Sequence, residues 1–375
     1  MSTEPARPPI ALPAGLAPLS RPWRWAVLVL LSAVFGALLH AAGVPAALML
    51  GPMIAGVLME IGGGTVRVPP LAMNVAQAIV GCLVARAISL EILGTFARRW
   101  PLFLGVVALT LIASMVLGWL IGRLRILPRA TAIWGMLPGA ASAMILMAEA
   151  YGADFRLVAF MQYLRVALLA VTASLIARLW THASGGTPPE TVWFPPIAWP
   201  AFGVTLGLVA FAVLVARTTR IPAGGLLSAM GAGVAVHLAA PAAIELPPWF
   251  LAIGYALLGW NTGLRFTRPV LAAAARALPQ TVLSILALML FCAGVAALLV
   301  VELHVDPLTA YLATSPGGLD SVAIIAASTR VDVHFVMALQ TVRFMLILLL
   351  GPALSRFVAG RLVASQANTG SGLKT

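Results

Sequence analysis

Two segments of the sequence carry matching polar residues around a Pro-Gly pair. The first reads LPGAASAMILMAEAYGADFRLVAFMQYLR from Leu137, and the second reads SPGGLDSVAIIAASTRVDVHFVMALQTVR from Ser315. Proline lacks the N–H donor that a helix needs, and glycine tolerates dihedrals that other residues avoid. Each pair therefore predicts a break between two short helices. The second helix would begin with free N–H groups and the positive end of its dipole, which favour an anion.

The helix after each break carries an acid, an amide and a guanidinium on one face. Asp154, Gln162 and Arg165 have helical spacing, and the same types recur at Asp332, Gln340 and Arg343. At ~1.5 Å per residue, Arg165 lies about 16 Å from Asp154, roughly halfway across an apolar core of ~30 Å. A guanidinium at that depth needs a partner or a cavity.

Two interpretations of these side chains stay open. Either the glutamines and arginines bind an anionic solute beside the helix starts, or each arginine pairs with a carboxylate such as Asp320 or caps carbonyls of the broken helix. On the first interpretation, the predicted substrate-binding residues surround both breaks: Pro138, Gly139, Ser142, Gln162, Arg165, Pro316, Gly317, Gly318, Ser321, Gln340 and Arg343.

Three acids are candidates for ion coupling. Asp320 lies in the first turn after the second break, where its counterpart is Ser142. It could carry a coupled proton or Na⁺, or it could simply stabilise a helix N-terminus. Asp154 and Asp332 are further coupling candidates, although their positions at helix starts favour N-capping.

Identical residues recur at a constant distance along the chain. Pro138 and Pro316, like Arg165 and Arg343, are 178 positions apart, and Gly81 and Gly259 keep this offset. Pro45 and Pro222 match with a slip of one residue. Shared proline, glycine, glutamine and arginine in a fixed register indicate an internal duplication.

The composition places this duplication in a membrane. Of 375 residues, 61% are hydrophobic and only 9% are charged, whereas an average soluble domain has about 25% charged residues. Continuous apolar runs argue against a membrane β-barrel. The sequence therefore predicts an all-α polytopic membrane protein. We expect 10–12 transmembrane segments in two repeats, preferably inverted, with Pro-Gly-broken helices near the membrane midplane.

The remaining residues give no sign of other chemistry. The net charge of +12 comes from arginines at the ends of apolar runs, which is typical of membrane anchoring and not of nucleic-acid binding. No two of the five histidines have helical ligand spacing, and we recognise no phosphate-binding loop or nucleophile–base pair. We expect neither enzymatic activity nor a cofactor or metal. The expected partners are the lipid bilayer, a small solute and H⁺ or Na⁺, with a homodimer left open.

Five regions follow from the duplication. They are a flexible N-terminal segment (1–20), the first repeat (21–181), a linker rich in proline and glycine (182–200), the second repeat (201–363) and a flexible tail (364–375).

Pro45, Leu50-Gly51-Pro52 and Ala55-Gly56 precede the duplicated motif. With these residues the sequence resembles the AbrB-type duplicated membrane protein family of Gram-negative bacteria, from about Arg21 to Val363. Members carry labels such as "ammonia monooxygenase" or "AbrB family transcriptional regulator". The first label implies bound copper, for which the sequence has no ligand cluster, and the second implies a soluble DNA-binding domain, for which it has no room.

The resemblance implies a multi-pass protein of the bacterial inner membrane and a set of candidate transporters without a defined substrate. We therefore predict a secondary transporter of a small anionic organic solute, coupled to H⁺ or Na⁺. The alternative is a membrane regulatory or scaffold protein without transport activity. The first repeat departs from the motif, because Gly317-Gly318 is replaced by Gly139-Ala140 and Asp320 by Ser142.

Overall fold

The computed structural model describes residues 16, 18–42, 44, 46–124, 126–138, 144, 148–149, 152–184, 193–219, 223–240, 244–275 and 278–347. Residues 1–15 of the predicted segment 1–20, residues 185–192 of the predicted linker 182–200 and the whole predicted tail 364–375 lie outside these ranges. The regular structure within them is helical. Its helices are α1 (Arg21–Ala41), α2 (Ala47–Ile61), α3 (Pro70–Arg86), α4 (Leu90–Arg123), α5 (Arg129–Met136), α6 (Phe155–Ser184), α7 (Trp199–Thr219), α8 (Gly224–Ala239), α9 (Pro248–Gly263), α10 (Arg268–Ala275), α11 (Leu278–Leu303), α12 (Pro307–Thr314), α13 (Leu319–Ala327) and α14 (Val333–Ile347).

The described helices define a polytopic membrane protein. Five of them are long and apolar enough to cross a membrane: α1, α7, α11, and the segments Ala97–Arg123 of α4 and Phe155–Ala173 of α6. Large apolar side chains point outward, as Leu290 does with 75% of its surface exposed. Such an apolar surface suits contact with lipid. The all-α class predicted from composition is confirmed, while α2, α3, α8 and α14 are shorter apolar helices.

The helix starts recur at the spacing seen in the sequence. The starts of α1 and α7, α3 and α9, α5 and α12, and α6 and α14 are each 178 positions apart. The residue before α2, Ala46, and the residue before α8, Ala223, both adopt a left-handed conformation (φ 56° and 55°), which is rare for alanine. Ala46 and Ala223, like Pro45 and Pro222, are separated by one residue fewer than the other matching pairs. Local backbone geometry thus follows the pattern of identical residues.

Helices α3 and α9, whose starts are 178 positions apart, run in opposite directions. At one end of α3, the Arg67 guanidinium lies 3.4 Å from the Leu264 carbonyl oxygen, just after α9 ends. Midway, Ile79 packs against Gly254. At the other end, Arg86 shares a cavity with Glu245, just before α9 begins. Helix α3 is therefore antiparallel to its counterpart α9. We call the two ends of the protein the Arg67 face and the Arg86 face.

In the second half, α12 and α13 form a helical hairpin. The Asp332 N–H donates to Thr309 Oγ1 (3.0 Å), which joins the start of α12 to the residues after α13. The start of α12 and the end of α13 thus lie side by side, and residues 315–318 form the tip between the two helices. In the first half, the Asp154 N–H donates to Thr131 Oγ1 (3.1 Å) in the same way. Most of the chain between Pro138 and Gly152 lies outside the described residues.

Contacts near the starts of α12 and α5 fix the face to which each one belongs. His334, at the start of α14, has Nδ1 2.6 Å from the Ala87 carbonyl oxygen, at the Arg86 face. Phe160, near the start of α6, stacks edge-on against Phe266, which follows α9 at the Arg67 face. The base of the α12–α13 hairpin therefore lies at the Arg86 face, and Thr131 at the start of α5 lies at the Arg67 face. Helices α5 and α12 thus extend from opposite faces toward the interior.

Glycines allow the two halves to approach closely. A Cβ atom on Gly81 in α3 would lie 2.6 Å from the Leu226 carbonyl oxygen in α8. A Cβ atom on its counterpart Gly259 in α9 would lie 2.4 Å from the Met49 carbonyl oxygen in α2. Small residues of this kind let helix backbones pack tightly in membranes. The contacts of α3 with α8 and of α9 with α2 are thus equivalent, and each of them joins one helix of the first half to one helix of the second half.

We predict that Gly81→Ala and Gly259→Ala each lower the melting temperature of the detergent-solubilised protein. The added methyl group would push against a carbonyl oxygen, and such overpacking costs about 1–3 kcal/mol. Gly207→Ala is the matched control, because nothing lies within 4 Å of a Cβ at this helical glycine. Equal melting temperatures for all three variants would contradict the close packing.

Candidate solute-binding site

The end of α5 is held by two side chains of α6. Gln162 Nε2 donates to the carbonyl oxygens of Trp134 and Leu137, each at 3.0 Å. Arg165 donates to the carbonyl oxygens of Met136 (3.3 Å) and Leu137 (3.2 Å) and to Gln162 Oε1. The last carbonyls of a helix have no partner within it. The buried glutamine and arginine supply the missing donors.

The second half repeats this arrangement on the hairpin tip. Gln340 Nε2 donates to the carbonyl oxygens of Leu312 (2.8 Å) and Ser315 (3.2 Å). Arg343 donates to the carbonyl oxygens of Ser315 and Gly317 and to Gln340 Oε1. All four side chains are buried, with exposed fractions of 0–4%. We call each glutamine–arginine pair, together with the carbonyls it binds, a tip clamp.

The tip clamps correspond to one of the two interpretations left open by the sequence, in which arginine caps the carbonyls of a broken helix. Most donors of Gln162, Arg165, Gln340 and Arg343 are engaged with the protein itself. One is free, because Arg165 Nε is buried and has no hydrogen-bond partner. The direct role of these residues in solute binding stays a prediction.

The two buried arginines lie close enough for their charges to interact. The guanidinium groups of Arg165 and Arg343 lie within range of each other's charge, and the Cys292 thiol lies near both. Among the described side chains, the ionisable groups that act on either guanidinium include no carboxylate. Burying charge is costly unless it is compensated. An anion between the two arginines would supply that compensation.

The other predicted binding residues surround the breaks. Pro138, Pro316, Gly318 and Ser321 are buried. Gly317 packs so tightly that a Cβ atom would lie 2.3 Å from Leu169 Cδ2 of α6. The tip of the second hairpin therefore rests on a helix of the first half. Gly139 and Ser142 lie outside the described residues.

The three acids differ in their surroundings. Asp154 Oδ1 accepts hydrogen bonds from the N–H groups of Arg156 (3.0 Å) and Leu157 (3.3 Å). Asp332 Oδ1 accepts from the Phe335 N–H (3.0 Å). Both are exposed N-caps, the role that their positions favoured. Asp320 lies in the first turn of α13, and its side chain lies outside the described part of the structure.

Sequence reasoning missed Thr131 and Thr309, which accept hydrogen bonds from the backbone of Asp154 and Asp332. They are identical and 178 positions apart, so the repeat contained the signal. It also missed Cys292, whose position beside both arginines depends on the packing of α11. The spacing of residues within one segment carries no information on such a contact between helices.

The fold and the tip clamps define a polytopic helical membrane protein in which α5 and α12 extend from opposite faces, each capped by a buried arginine. The family described as "Transition state regulatory protein AbrB" matches residues 48–359. The chain belongs to the AbrB family, as its resemblance predicted.

Two relatives extend this comparison. The protein named "Putative regulator AbrB" from Escherichia coli (strain K12) is 44% identical over 337 residues, covering 90% of this chain and 97% of the relative. The "Uncharacterized protein YhjN" from Bacillus subtilis (strain 168) is 25% identical over 304 residues, covering 76% of this chain and 78% of the relative.

We predict that Gln340→Met destabilises the protein by about 1–3 kcal/mol, because buried carbonyls lose their donor. The melting temperature in detergent measures the effect. Thr341→Val is the neighbouring control. Thr341 Oγ1 is buried without a partner, so its removal leaves stability unchanged or slightly higher. A larger loss for Thr341→Val than for Gln340→Met would contradict the tip clamp.

Proposed function

We propose that this protein is a secondary transporter of a small anionic organic solute, coupled to H⁺ or Na⁺, in the bacterial inner membrane. One observation carries the proposal: the buried guanidiniums of Arg165 and Arg343 approach each other from the two halves without a carboxylate among the described side chains. A site with two compensating cations and a free Arg165 Nε donor suits a carboxylate or a similar anion.

We propose further that the halves are inverted repeats, each with five crossing helices and one hairpin. Three observations support this: the constant offset of the helix starts, the antiparallel directions of α3 and α9, and the opposite faces from which α5 and α12 extend. Inverted repeats with broken helices at the membrane midplane are a recurring architecture of secondary transporters. Rocking one half against the other would expose the arginines alternately to each side.

The arginine distribution supports an orientation in the membrane. The described arginines at the Arg86 face are Arg86, Arg98, Arg99, Arg178 and Arg330. Those at the Arg67 face are Arg21, Arg24, Arg67, Arg123, Arg129, Arg156, Arg217, Arg265 and Arg268. Cytoplasmic loops carry the excess of positive charge. We therefore assign the Arg67 face, with the start of α1, to the cytoplasm.

In the proposed mechanism, Arg165 and Arg343 hold the anion, and Asp320 couples its movement to a cation. Asp320 is the second residue of α13, the helix that follows Gly317 and Gly318, and Arg343 donates to the Gly317 carbonyl oxygen. Protonation of Asp320, or binding of Na⁺ to it, would remove a negative charge from the vicinity of the anion. Solute and cation would then cross together, because each reduces the electrostatic cost of the other.

Uptake into proteoliposomes tests the proposal directly. A panel of radiolabelled organic anions is offered with an inward H⁺ gradient, an inward Na⁺ gradient or neither. We expect at least one anion to accumulate with one gradient only. An absence of gradient-driven uptake across the panel contradicts the transporter assignment.

Variants test the residue assignments. We expect Arg343→Lys to reduce uptake at least tenfold, because lysine cannot reproduce the bidentate geometry of arginine. Asp320→Asn should abolish the dependence on the gradient, because asparagine cannot carry a proton or a negative charge. Arg98→Gln, at an exposed arginine away from the tips, is the control. Melting temperatures exclude variants that fail to fold, and unchanged uptake in both folded variants overturns the assignments.

Thiol labelling tests the orientation. Cys82 and Cys292 are buried, so they should stay unlabelled by a membrane-impermeant maleimide in intact cells. We expect Glu302→Cys, at the Arg86 face, to react from outside, and Ser20→Cys, at the Arg67 face, to react only after permeabilisation. Both positions are exposed. The reverse pattern contradicts the assignment of the faces.

A regulatory or scaffold function is the second candidate, favoured by the name of the Escherichia coli relative. Such a function needs a segment that contacts a soluble partner, and residues 1–20 and 181–200 are the candidates. Deletion of each segment is tested for both uptake and cellular gene expression. Altered expression together with no uptake of any anion, even by the intact chain, favours regulation over transport.

A further inference from the structure

A cavity at the Arg86 face gathers ionisable groups from four parts of the chain. It has a volume of about 440 Å³ and is lined by Arg86 of α3, His237 of α8, Glu245 before α9 and His334 of α14, with Ala198, Ala201 and Ile244 as the small and apolar part. This volume lies within the range of about 300–1,000 Å³ that is typical of small-molecule sites. The cavity lies near the face, whereas the tip clamps lie in the interior.

Two polar atoms of the cavity residues lack partners. His237 Nδ1 and Glu245 Oε2 are both buried and accept or donate no hydrogen bond in the described structure. A buried polar atom without a partner costs free energy comparable to a lost hydrogen bond. Both atoms are enclosed by protein, so a ligand in the cavity would meet Glu245 through its other carboxylate oxygen, Oε1, which is not among the enclosed atoms.

The backbone holds Glu245 in place. The Glu245 N–H donates to Thr205 Oγ1 (3.0 Å), and Thr205 Oγ1 donates to the Glu245 carbonyl oxygen (2.9 Å). His334 is fixed as well, because its Nδ1 donates to the Ala87 carbonyl oxygen. The backbone at Glu245 and the imidazole of His334 are therefore fixed before any ligand arrives, which lowers the entropic cost of binding.

Opposite charges line the cavity without neutralising each other. Arg86 is exposed and Glu245 is half-buried, and the hydrogen bonds of the described side chains include no ion pair between them. A free anion would be attracted by Arg86 but repelled by Glu245. A free cation would be attracted by Glu245 but repelled by Arg86. A molecule that carries both charges gains from both residues.

We propose that this cavity is a binding site for a small zwitterion that carries an acidic group and an ammonium group, of which an α-amino acid is the simplest example. The acidic group binds Arg86. The ammonium group binds the Glu245 carboxylate beside His237. The site is separate from the tip clamps and does not depend on the proposed transport activity.

Calorimetric titration of the purified full-length protein in detergent tests the site with glycine, acetate and ethylamine as probes. We expect glycine to bind at least tenfold more tightly than acetate or ethylamine, because each of these offers only one charge. Acetate binding as tightly as glycine, ethylamine binding as tightly, or no binding of glycine overturns the proposal. Tighter binding of O-phosphoethanolamine than of glycine keeps the zwitterion site but identifies its source as a lipid headgroup.

Single-charge variants assign the two ends of the ligand. We expect Glu245→Gln to weaken glycine binding about tenfold or more and to leave acetate binding unchanged or tighter, since the repulsive carboxylate is gone. Arg86→Gln should weaken the binding of both glycine and acetate. Glu302→Gln and Arg98→Gln remove exposed charges from the same face, outside the cavity lining, and should leave glycine binding unchanged.

Two outcomes separate this site from the proposed transporter function. Loss of glycine binding in Glu245→Gln, with anion uptake intact, supports a separate site. Equal glycine binding by wild type, Glu245→Gln and Arg86→Gln, each with an unaltered melting temperature, overturns the site but leaves the transport proposal standing.

Discussion

The structure depends on satisfying backbone carbonyls that end inside an apolar interior. Helices α5 and α12 each end after eight residues. In an apolar interior, water cannot donate hydrogen bonds to the last carbonyl oxygens of these helices. The chain meets this constraint with donors from the next long helix. Gln162 and Arg165 serve the first break, and Gln340 and Arg343 serve the second.

This solution creates the electrostatic feature on which function would rest. Glutamine alone would add no charge, but each arginine brings one positive charge into the interior. Because α5 and α12 extend from opposite faces, Arg165 and Arg343 lie close enough for their charges to interact. Under the proposed function, these capping residues of the two halves would also attract an anion between them. Close helix contacts at Gly81 and Gly259 bring the halves together in this arrangement.

Much of the fold could be predicted from the sequence, because proline and glycine act locally and the repeat doubles every signal. The breaks near Pro138 and Pro316 and the capping roles of Asp154 and Asp332 follow from residue type and position alone. The direction of the halves could not be predicted, because arginines occur at nearly every helix end. Contacts such as Arg67 with Leu264 were needed to assign each end to a face.

The target of a long side chain was equally hard to predict. Spacing places Arg165 and Gln162 on one face, but it does not say whether they reach a solute or a carbonyl oxygen. The cavity of Arg86 and Glu245 gave no local signal, because its residues come from distant parts of the chain and share no periodic pattern. A repeat reveals equivalent positions, whereas a site between helices depends on how those helices pack.

A density map of the full-length protein, determined with a transported organic anion, tests the central claim most directly. The account predicts density for the anion between the guanidiniums of Arg165 and Arg343, with both tip clamps intact. A map in which the Asp320 carboxylate bridges the two guanidiniums and leaves no space for a solute would contradict it.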